Sequence, residues 1–156
     1  MKKSFLRKRD ISVIHNGIDI QTFKVTQSNF KERYGITRKK IILGVAAPWS
    51  KRKGFDDFIK LYVSLPKEQS QIIMIGLSDE LINQLPEGII GLPRTNTATD
   101  LAKWYSLADV FVNCTYEDNY PTTNLEAISC GTPVITYKTG GSPESVTLET
   151  GRVCNI

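Results

Sequence analysis

Three consecutive cations stand between a buried apolar run and the start of a helix. Lys51, Arg52 and Lys53 follow the apolar residues 41–46 and directly precede Gly54. Cations beside the free backbone amides of a helix start favour a bound phosphate. The alternative is a solvated basic loop in which Gly54 serves only the turn. The residues of this loop leave both interpretations open.

A second set of chemically capable residues lies between Glu117 and Glu126, and in it Asp118 stands eight residues before Glu126. A carboxylate in such a position can accept hydrogen bonds from the paired hydroxyls of a ribose, while amides at the helix start hold a diphosphate. The alternative is a capping box, Thr123-x-x-Glu126, in which the glutamate satisfies only a backbone amide. The helix start in question comprises Pro121, Thr122, Thr123 and Asn124.

A third loop carries Gly140 and Gly141 immediately before Ser142 and Pro143. Paired glycines let a backbone approach a ligand closely, and Ser-Pro favours a helix with the serine as its cap. Glu144 also fits a plain first-turn acid that complements the helix dipole. The chain has no G-x-G-x-x-G after a strand and no G-x-x-x-x-G-K-[ST]. A dinucleotide dehydrogenase and a P-loop nucleotidase are therefore unsupported.

The hydrophobic pattern predicts the frame that positions these loops. Short apolar runs alternate with segments of helical period, which predicts an α/β fold, a Rossmann-like parallel sheet with helices on both faces. Ligands of such sheets bind beyond the carboxyl ends of the strands, where the three loops would meet. The predicted strands are residues 11–15, 41–46, 71–76, 88–92, 110–114 and 133–137. The predicted helices are residues 28–34, 56–64, 80–84, 122–130 and one opened by a capping box at Thr97, and residues 149–156 fit a hairpin or a strand.

Composition and charge placement exclude several classes of protein. The chain is 40% hydrophobic and 23% charged, as ordinary globular domains are, and no apolar run approaches the ~20 residues that cross a bilayer. The net charge of +4 is carried by residues 1–10, so the remainder sums to zero. A nucleic-acid-binding domain would spread its cations over a folded face, so nucleic acid is not an expected partner. The basic arm fits either a solvated terminus or a contact with anionic lipid or a neighbouring domain.

The cysteines and the single histidine give no support for metal or nucleophilic chemistry. Cys114, Cys130 and Cys154 lack the spacing of metal ligands, and two of them lie in apolar surroundings. They fit reduced, buried small hydrophobes, which is typical of a cytoplasmic protein. His15 has no nearby residues that would complete a catalytic triad.

Taken in order, these loops resemble the donor-binding domain of retaining glycosyltransferases of the GT-B fold, the group 1 type called family four. The resemblance covers the chain from about residue 11 to residue 152, and the segment 117–121 (EDNYP) is similar to the subgroup that builds bacterial surface polysaccharides. The landmarks are His15-Asn16-Gly17-Ile18-Asp19, Lys53-Gly54, residues 105–112 (YSLADVFV), Leu125-Glu126-Ala127, Cys130-Gly131-Thr132-Pro133-Val134 and Gly140-Gly141-x-Pro143-Glu144.

The resemblance implies roles for individual residues. Lys53 would bind the donor diphosphate and Glu126 the ribose, while the acid near the transferred sugar would be Asp118 or its neighbour Glu117. The family usually has an arginine five residues before the lysine, where this chain has Pro48. The phosphate contact of that arginine would pass to Lys51 or Arg52, or phosphate binding would be weaker. The other expected donor-binding residues are Pro121, Thr122, Thr123, Asn124, Gly140, Gly141 and Leu92, and residues 91–94 would lie near the nucleobase.

The resemblance also implies the reaction. Residues 11–156 would form a nucleotide-sugar-binding domain, shortened at both ends relative to the full-length enzyme and preceded by the basic arm of residues 1–10. The enzyme would transfer a sugar from a UDP- or GDP-type donor, with retention, to a glycan or lipid-linked acceptor. It would need no cofactor or metal, and this chain would not turn over without an N-terminal acceptor domain. The alternatives are a non-catalytic nucleotide-binding module and a domain like that of a nucleotide-sugar 2-epimerase.

The expected setting is bacterial polysaccharide synthesis in the cytoplasm. Peripheral association of the full-length protein with the inner face of the cytoplasmic membrane is a further expectation, because the basic arm would suit anionic lipid.

Overall fold

The computed structural model describes Phe5 and residues 9–156, so most of the basic arm predicted at residues 1–10 lies outside the described residues. The fold is built on a parallel sheet of six strands in the order β3-β2-β1-β4-β5-β6. This confirms the predicted α/β class. The strands are β1 (Lys40–Val45), β2 (Ser70–Ile75), β3 (Ile90–Leu92), β4 (Val110–Asn113), β5 (Val134–Tyr137) and β6 (Gly151–Cys154).

The central strands are apolar and buried in their middle residues because helices cover both faces of the sheet. On one face Leu43 and Phe111 belong to a core that includes Tyr105, and on the other Ile42 packs in a second core with Phe58. The first core is closed by α1 (Phe30–Arg33), α4 (Ala98–Leu107) and α5 (Thr122–Ser129), and the second by α2 (Phe55–Ser64) and α3 (Asp79–Asn83).

A predicted helix start is confirmed where the capping side chain accepts a hydrogen bond from the first turn of its helix. Thr97 caps α4 by accepting a hydrogen bond from the amide of Asp100 at 3.0 Å, as its capping box predicts. The predicted cap at Ser142 is wrong, because Gly141 is the residue that precedes the 3₁₀ helix Ser142–Ser145. The side chain of Ser142 is instead buried, with no hydrogen-bond partner for its Oγ in the described part of the chain.

The structure corrects the strand predicted at residues 11–15 and decides between the two alternatives for residues 149–156. Residues 11–15 do not form a strand, because this exposed segment pairs with no strand in the described sheet. For residues 149–156 the strand alternative is confirmed and the hairpin is not formed, because Gly151–Cys154 is a parallel strand on β5. Gly151 allows that pairing, since a Cβ there would overlap the carbonyl oxygen of Val134.

The sheet order brings the loops after β1, β4 and β5 to one rim, because these three strands are neighbours. Gly54, with a φ of 76°, lies against the backbone of Cys114 after β4. The amide of Gly141 donates to the carbonyl of Asp118 at 3.1 Å, which joins the loop after β5 to the loop after β4. The three loops that carry the chemical motifs therefore form one surface. Across the described residues, no helix has the length and apolarity that a membrane span requires.

Candidate functional site

A cleft runs along the carboxyl ends of the central strands, where the fold predicts a ligand. Two adjoining cavities make up this cleft. The smaller, about 330 Å³, has Lys53 and Asp118 in its wall and is called the Lys53 cavity below. The larger, about 820 Å³, has Glu126 in its wall and is called the Glu126 cavity. The residues that line both cavities are Val45, Ala46, Ala47 and Thr123.

Lys53 is held at the rim by a tight turn and an ion pair. It ends the 3₁₀ helix Lys51–Lys53, which Ser50 caps, and the left-handed conformation of Gly54 lets the chain turn into α2. Its Nζ lies 2.8 Å from Oδ2 of Asp118. The side chains of the pair are 26% and 21% exposed, so both are oriented by protein contacts and still reachable from the cleft. This pair forms one end of the cleft.

Glu126 lies at the other end, and a buried tyrosine orients it. The hydroxyl of Tyr105 donates to Oε2 of Glu126 at 2.9 Å, and the tyrosine side chain is fully buried. Burial raises the pKa of Glu126, while the hydrogen bond from Tyr105 opposes that shift. Burial and the neighbouring Glu126 charge together raise the pKa of Tyr105 well above its usual range, so the tyrosine stays a donor. The second carboxylate oxygen makes no hydrogen bond in the described part of the chain and can accept one from a ligand.

The start of α5 lies between these two ends. Thr122 and Thr123 are its first residues, so their amides have no intrahelical partner, and Thr123 lines both cavities. No side chain caps this helix start among the described residues, and Glu126 accepts from Tyr105 instead. The alternative of a capping box at Thr123-x-x-Glu126 is therefore wrong. The amides and the dipole of α5 favour an anion at this point.

Asn124 belongs to the support of the cleft and not to its wall. Its side chain is fully buried, and its amide donates to the carbonyl of Pro121. Its Oδ1 accepts from Nδ2 of Asn113 at 2.8 Å, and its Nδ2 donates to Oγ of Ser145 at 2.8 Å. The side chain thus joins β4, α5 and the 3₁₀ helix Ser142–Ser145, which explains why a polar residue occupies this buried position.

Replacing Asn124 with leucine is expected to lower the free energy of unfolding by about 2–3 kcal/mol, because the side chains of Asn113 and Ser145 each lose a hydrogen-bond partner. Urea unfolding followed by circular dichroism measures the change. Asn83→Leu, at an exposed position of α3, is the matched control and is expected to change stability by less than about 0.5 kcal/mol. Equal effects of the two substitutions would contradict the supporting role of Asn124.

The glycine pair packs against the protein's own backbone. A Cβ at Gly140 would overlap the carbonyl oxygen of Asp118, and a Cβ at Gly141 would overlap that of Asn119. The close approach that the paired glycines allow is therefore to the loop carrying Asp118. Neither glycine lines the Lys53 cavity or the Glu126 cavity in the described part of the chain. The pair positions the acidic loop.

The remaining predicted site residues divide between the cleft and its surroundings. Pro121 lines the Lys53 cavity, together with Thr122. Within the described residues, neither cavity is lined by Lys51, Arg52, Glu117, Leu92 or Pro48. Lys51, Arg52 and Glu117 line a separate surface pocket of about 460 Å³. Leu92 packs against the core on the α4 side of the sheet.

Of the two neighbouring acids, the structure therefore places Asp118 and not Glu117 at the cleft. Glu117 is exposed, and its carbonyl accepts from Arg52 at 3.0 Å. Arg52 and Glu117 also line a surface pocket of about 400 Å³, which shares Asn16, Asp118 and Tyr120 with the Lys53 cavity. The expected phosphate contact of Lys51 or Arg52 therefore stays a prediction.

Sequence reasoning missed Asn16 and Tyr120, which the fold brings to the cleft from distant parts of the chain, whereas Arg94 lies in the segment expected near the nucleobase. Asn16 and Tyr120 line the Lys53 cavity, and Arg94 lines the Glu126 cavity. Asn16 stands in a motif that the resemblance includes, and Arg94 lies two residues after β3. Position after a strand is the signal that also marks Tyr120, but no local spacing marks Asn16. Within the described residues, no group of three or more histidine, cysteine, aspartate or glutamate side chains could hold a metal ion.

The chain is similar in sequence and in fold to known glycosyltransferases. Residues 26–155 match the family model described as glycosyl transferases, group 1. The chain is 25% identical over 156 residues to an N-acetyl-alpha-D-glucosaminyl L-malate synthase of Bacillus anthracis, covering 95% of this chain and 41% of that protein. It is 31% identical over 115 residues to an alpha-galactosylglucosyldiacylglycerol synthase of Streptococcus pneumoniae, covering 65% of this chain and 29% of that protein. The chain thus spans less than half the length of these relatives.

Solved structures share the fold. HepE of Anabaena, in complex with UDP-glucose, superposes with a TM-score of 0.79 at 22% identity, covering 92% of this chain and 43% of that one. The C-terminal domain of a group 1 glycosyl transferase, LpcC of Francisella tularensis, superposes with a TM-score of 0.70 at 20% identity, covering 89% and 80% of the two chains. The chain shares the Rossmann-like α/β fold that forms one half of a GT-B structure, and the family match covers most of the chain. The protein therefore belongs to the group 1 glycosyltransferases.

Proposed function

We propose that this domain binds the nucleotide-sugar donor of a retaining glycosyltransferase, which transfers the sugar to a glycan or lipid-linked acceptor in bacterial surface polysaccharide synthesis. One observation carries the proposal. Lys53 and Glu126 stand at opposite ends of one cleft, with the start of α5 between them. Along the cleft lie a carboxylate that can accept hydrogen bonds from ribose hydroxyls, a helix start that can bind an anion, and a cation. The ribose and the two phosphates of a nucleoside diphosphate follow one another in the same order.

The nucleoside would occupy the Glu126 cavity. Its volume of about 820 Å³ lies in the usual range for small-molecule sites. The ribose hydroxyls would donate to the Glu126 carboxylate, whose orientation the hydroxyl of Tyr105 fixes at 2.9 Å. An ionised carboxylate accepts such bonds well, and partial burial strengthens them. The base would lie toward the loop after β3, where Arg94 is found.

The diphosphate would extend from the start of α5 toward Lys53. The free amides of Thr122 and Thr123 would hold one phosphate, and Lys53 would neutralise the other. These groups would also stabilise the negative charge that develops on the departing diphosphate, and we propose that transfer proceeds without a metal for this reason. Asp118, 2.8 Å from Lys53, would then face the transferred sugar.

The donor is proposed to be of the UDP or GDP type. HepE, which shares the fold, was crystallised with UDP-glucose, UDP, and UDP with glucose. UDP is therefore the first nucleotide to test on this chain.

A non-catalytic nucleotide-binding module is the second candidate. Pro48 is exposed and lines neither cavity in the described part of the chain. Lys53 is then the cation of the smaller cavity, and it is already paired with Asp118. Such a site could bind a nucleotide while stabilising a departing diphosphate less well.

Isothermal titration of the protein with UDP, GDP and ADP tests the proposal. Saturable binding of one nucleotide at a stoichiometry of one is the expected result, and no binding of any of the three would contradict it. Assay of the full-length protein with the corresponding nucleotide sugar separates the two candidates. Turnover with retained anomeric configuration, read by NMR of the product, supports the enzyme, whereas binding without turnover supports the module.

A further inference from the structure

The segment before the first helix crosses the rim of the sheet and brings an imidazole to two loops at once. The ring of His15 stacks on that of Tyr120, with centroids 4.1 Å apart and an interplanar angle of 14°. Its Nε2 lies 3.1 Å from Oε2 of Glu144. Tyr120 belongs to the acidic loop after β4, and Glu144 to the 3₁₀ helix after β5. His15 thus connects the segment to both loops.

The next residue, Asn16, lines the Lys53 cavity together with Tyr120 and Asp118. Its carboxamide makes no hydrogen bond with the described residues, so both its donor and its acceptor remain available. A carboxamide can donate to a phosphate oxygen and accept from a hydroxyl without adding charge. Its place beside Lys53 is where the terminal phosphate of a nucleoside diphosphate would lie.

We propose that Asn16 is a further donor-binding residue, which contacts the terminal phosphate, and that His15 is the positioning residue that holds it there. The inference rests on the proposed function, because it assumes that the Lys53 cavity receives this phosphate.

The surroundings of the two residues explain why positioning is needed. Residues 11–17 are exposed and belong to no helix or strand. An extended segment without such bonding moves freely unless side chains hold it. The aromatic stack on Tyr120 and the contact with Glu144 are the holds that the structure shows for His15. Without the imidazole, nothing in this contact set would keep the side chain of Asn16 at the Lys53 cavity.

The test measures the affinity of single and double variants for UDP and UMP by isothermal titration. Asn16→Ala is expected to weaken UDP binding by about tenfold, the effect of one charge-assisted hydrogen bond. His15→Ala is expected to weaken UDP binding by about fivefold, since the contact is made less often. Both variants should bind UMP as the wild type does, because UMP lacks the terminal phosphate. A general structural defect would weaken both nucleotides.

The double variant shows whether His15 acts through Asn16. If it does, His15→Ala adds no further loss of UDP affinity in the Asn16→Ala background. His15→Phe, which keeps a ring for the stack, is expected to restore most of the affinity that His15→Ala loses. Asn83→Ala, on the exposed surface of α3, is the matched control and should bind UDP normally.

The outcomes separate this inference from the proposed function. Normal UDP affinity in Asn16→Ala or His15→Ala, or additive losses in the double variant, would overturn the inference while leaving the proposed function intact. Equal losses for UDP and UMP would also overturn it. If the wild type binds none of UDP, GDP and ADP, both fail together. If the wild type prefers GDP, the same comparison is made with GDP and GMP.

Discussion

Lys53→Met is expected to weaken UDP binding by about 100-fold, or about 2.8 kcal/mol. The substitution removes the charge that would bind the diphosphate. It also leaves the carboxylate of Asp118, now 2.8 Å from the ammonium group, without its partner in the same cavity. An unpaired carboxylate beside a phosphate repels it, so the loss exceeds that of one charge-assisted hydrogen bond.

Lys51→Met is the matched control for this prediction. Lys51 lies two residues earlier in the same 3₁₀ helix, but it lines the surface pocket on the outer side of the acidic loop. Isothermal titration of both variants at one ionic strength makes the comparison. We expect Lys51→Met to bind UDP within about twofold of the wild type, since screened surface charges contribute little. Comparable losses in both variants would mean that the basic loop acts only through its overall charge.

Glu126→Gln is expected to weaken UDP binding by about 100-fold, because the ribose hydroxyls lose a charged acceptor that is held in a partly buried place. The wild-type preference for UDP over 2′-deoxy-UDP should shrink in the same variant, since the 2′-hydroxyl would no longer have its acceptor. Glu117→Gln is the matched control, because Glu117 is exposed and lies outside the cleft. An unchanged preference in Glu126→Gln would place the ribose elsewhere.

The same substitution has an opposite effect on stability. Burial raises the pKa of Glu126 in the folded protein above its value in the unfolded chain. The folded state therefore holds the proton more tightly, and the free energy of unfolding decreases as the pH rises from the ordinary carboxyl pKa through the raised one. Glu126→Gln removes this dependence. We therefore expect the free energy of unfolding of the glutamine variant, relative to that of the wild type, to be greater at pH 7 than at pH 4. Urea unfolding at the two pH values measures this difference.

Nucleotide binding should show the complementary pH dependence. The ribose would require the ionised carboxylate, so the UDP affinity of the wild type should fall as the pH drops through the raised pKa of Glu126. Glu126→Gln should lack this component while keeping the part that arises from titration of UDP itself. A stability gain together with a binding loss is typical of a residue retained for function.

The fold was predictable because its signals are local and repeated. The apolar runs that became β1 and β2 are buried on both faces. Their predicted bounds, 41–46 and 71–76, each lie one residue later in the chain than the strands of the structure. Residues 11–15 show the limit of such reasoning. Their alternation suits a strand, but a strand also needs a neighbour to pair with. In this fold the segment crosses the rim instead, where His15 finds Tyr120.

The site was predictable where each residue follows a strand and less so where long-range packing decides. Lys53, Asp118 and Glu126 reach the cleft because neighbouring parallel strands present their loops at one rim. Asn124 has the same local context, yet its partners Asn113 and Ser145 turn it into the interior. Neither hydrogen bond has a signature in the spacing of the residues, since each depends on elements that meet only in the folded protein.

The position of bound UDP in a crystal of this protein decides whether Lys53, the start of α5 and Glu126 form one donor site. We expect ribose hydroxyls within hydrogen-bond distance of Glu126, a phosphate on the amides of Thr122 and Thr123, and the terminal phosphate within about 3 Å of Lys53 Nζ. UDP bound outside this cleft, or with its diphosphate directed away from α5 and Lys53, would contradict it.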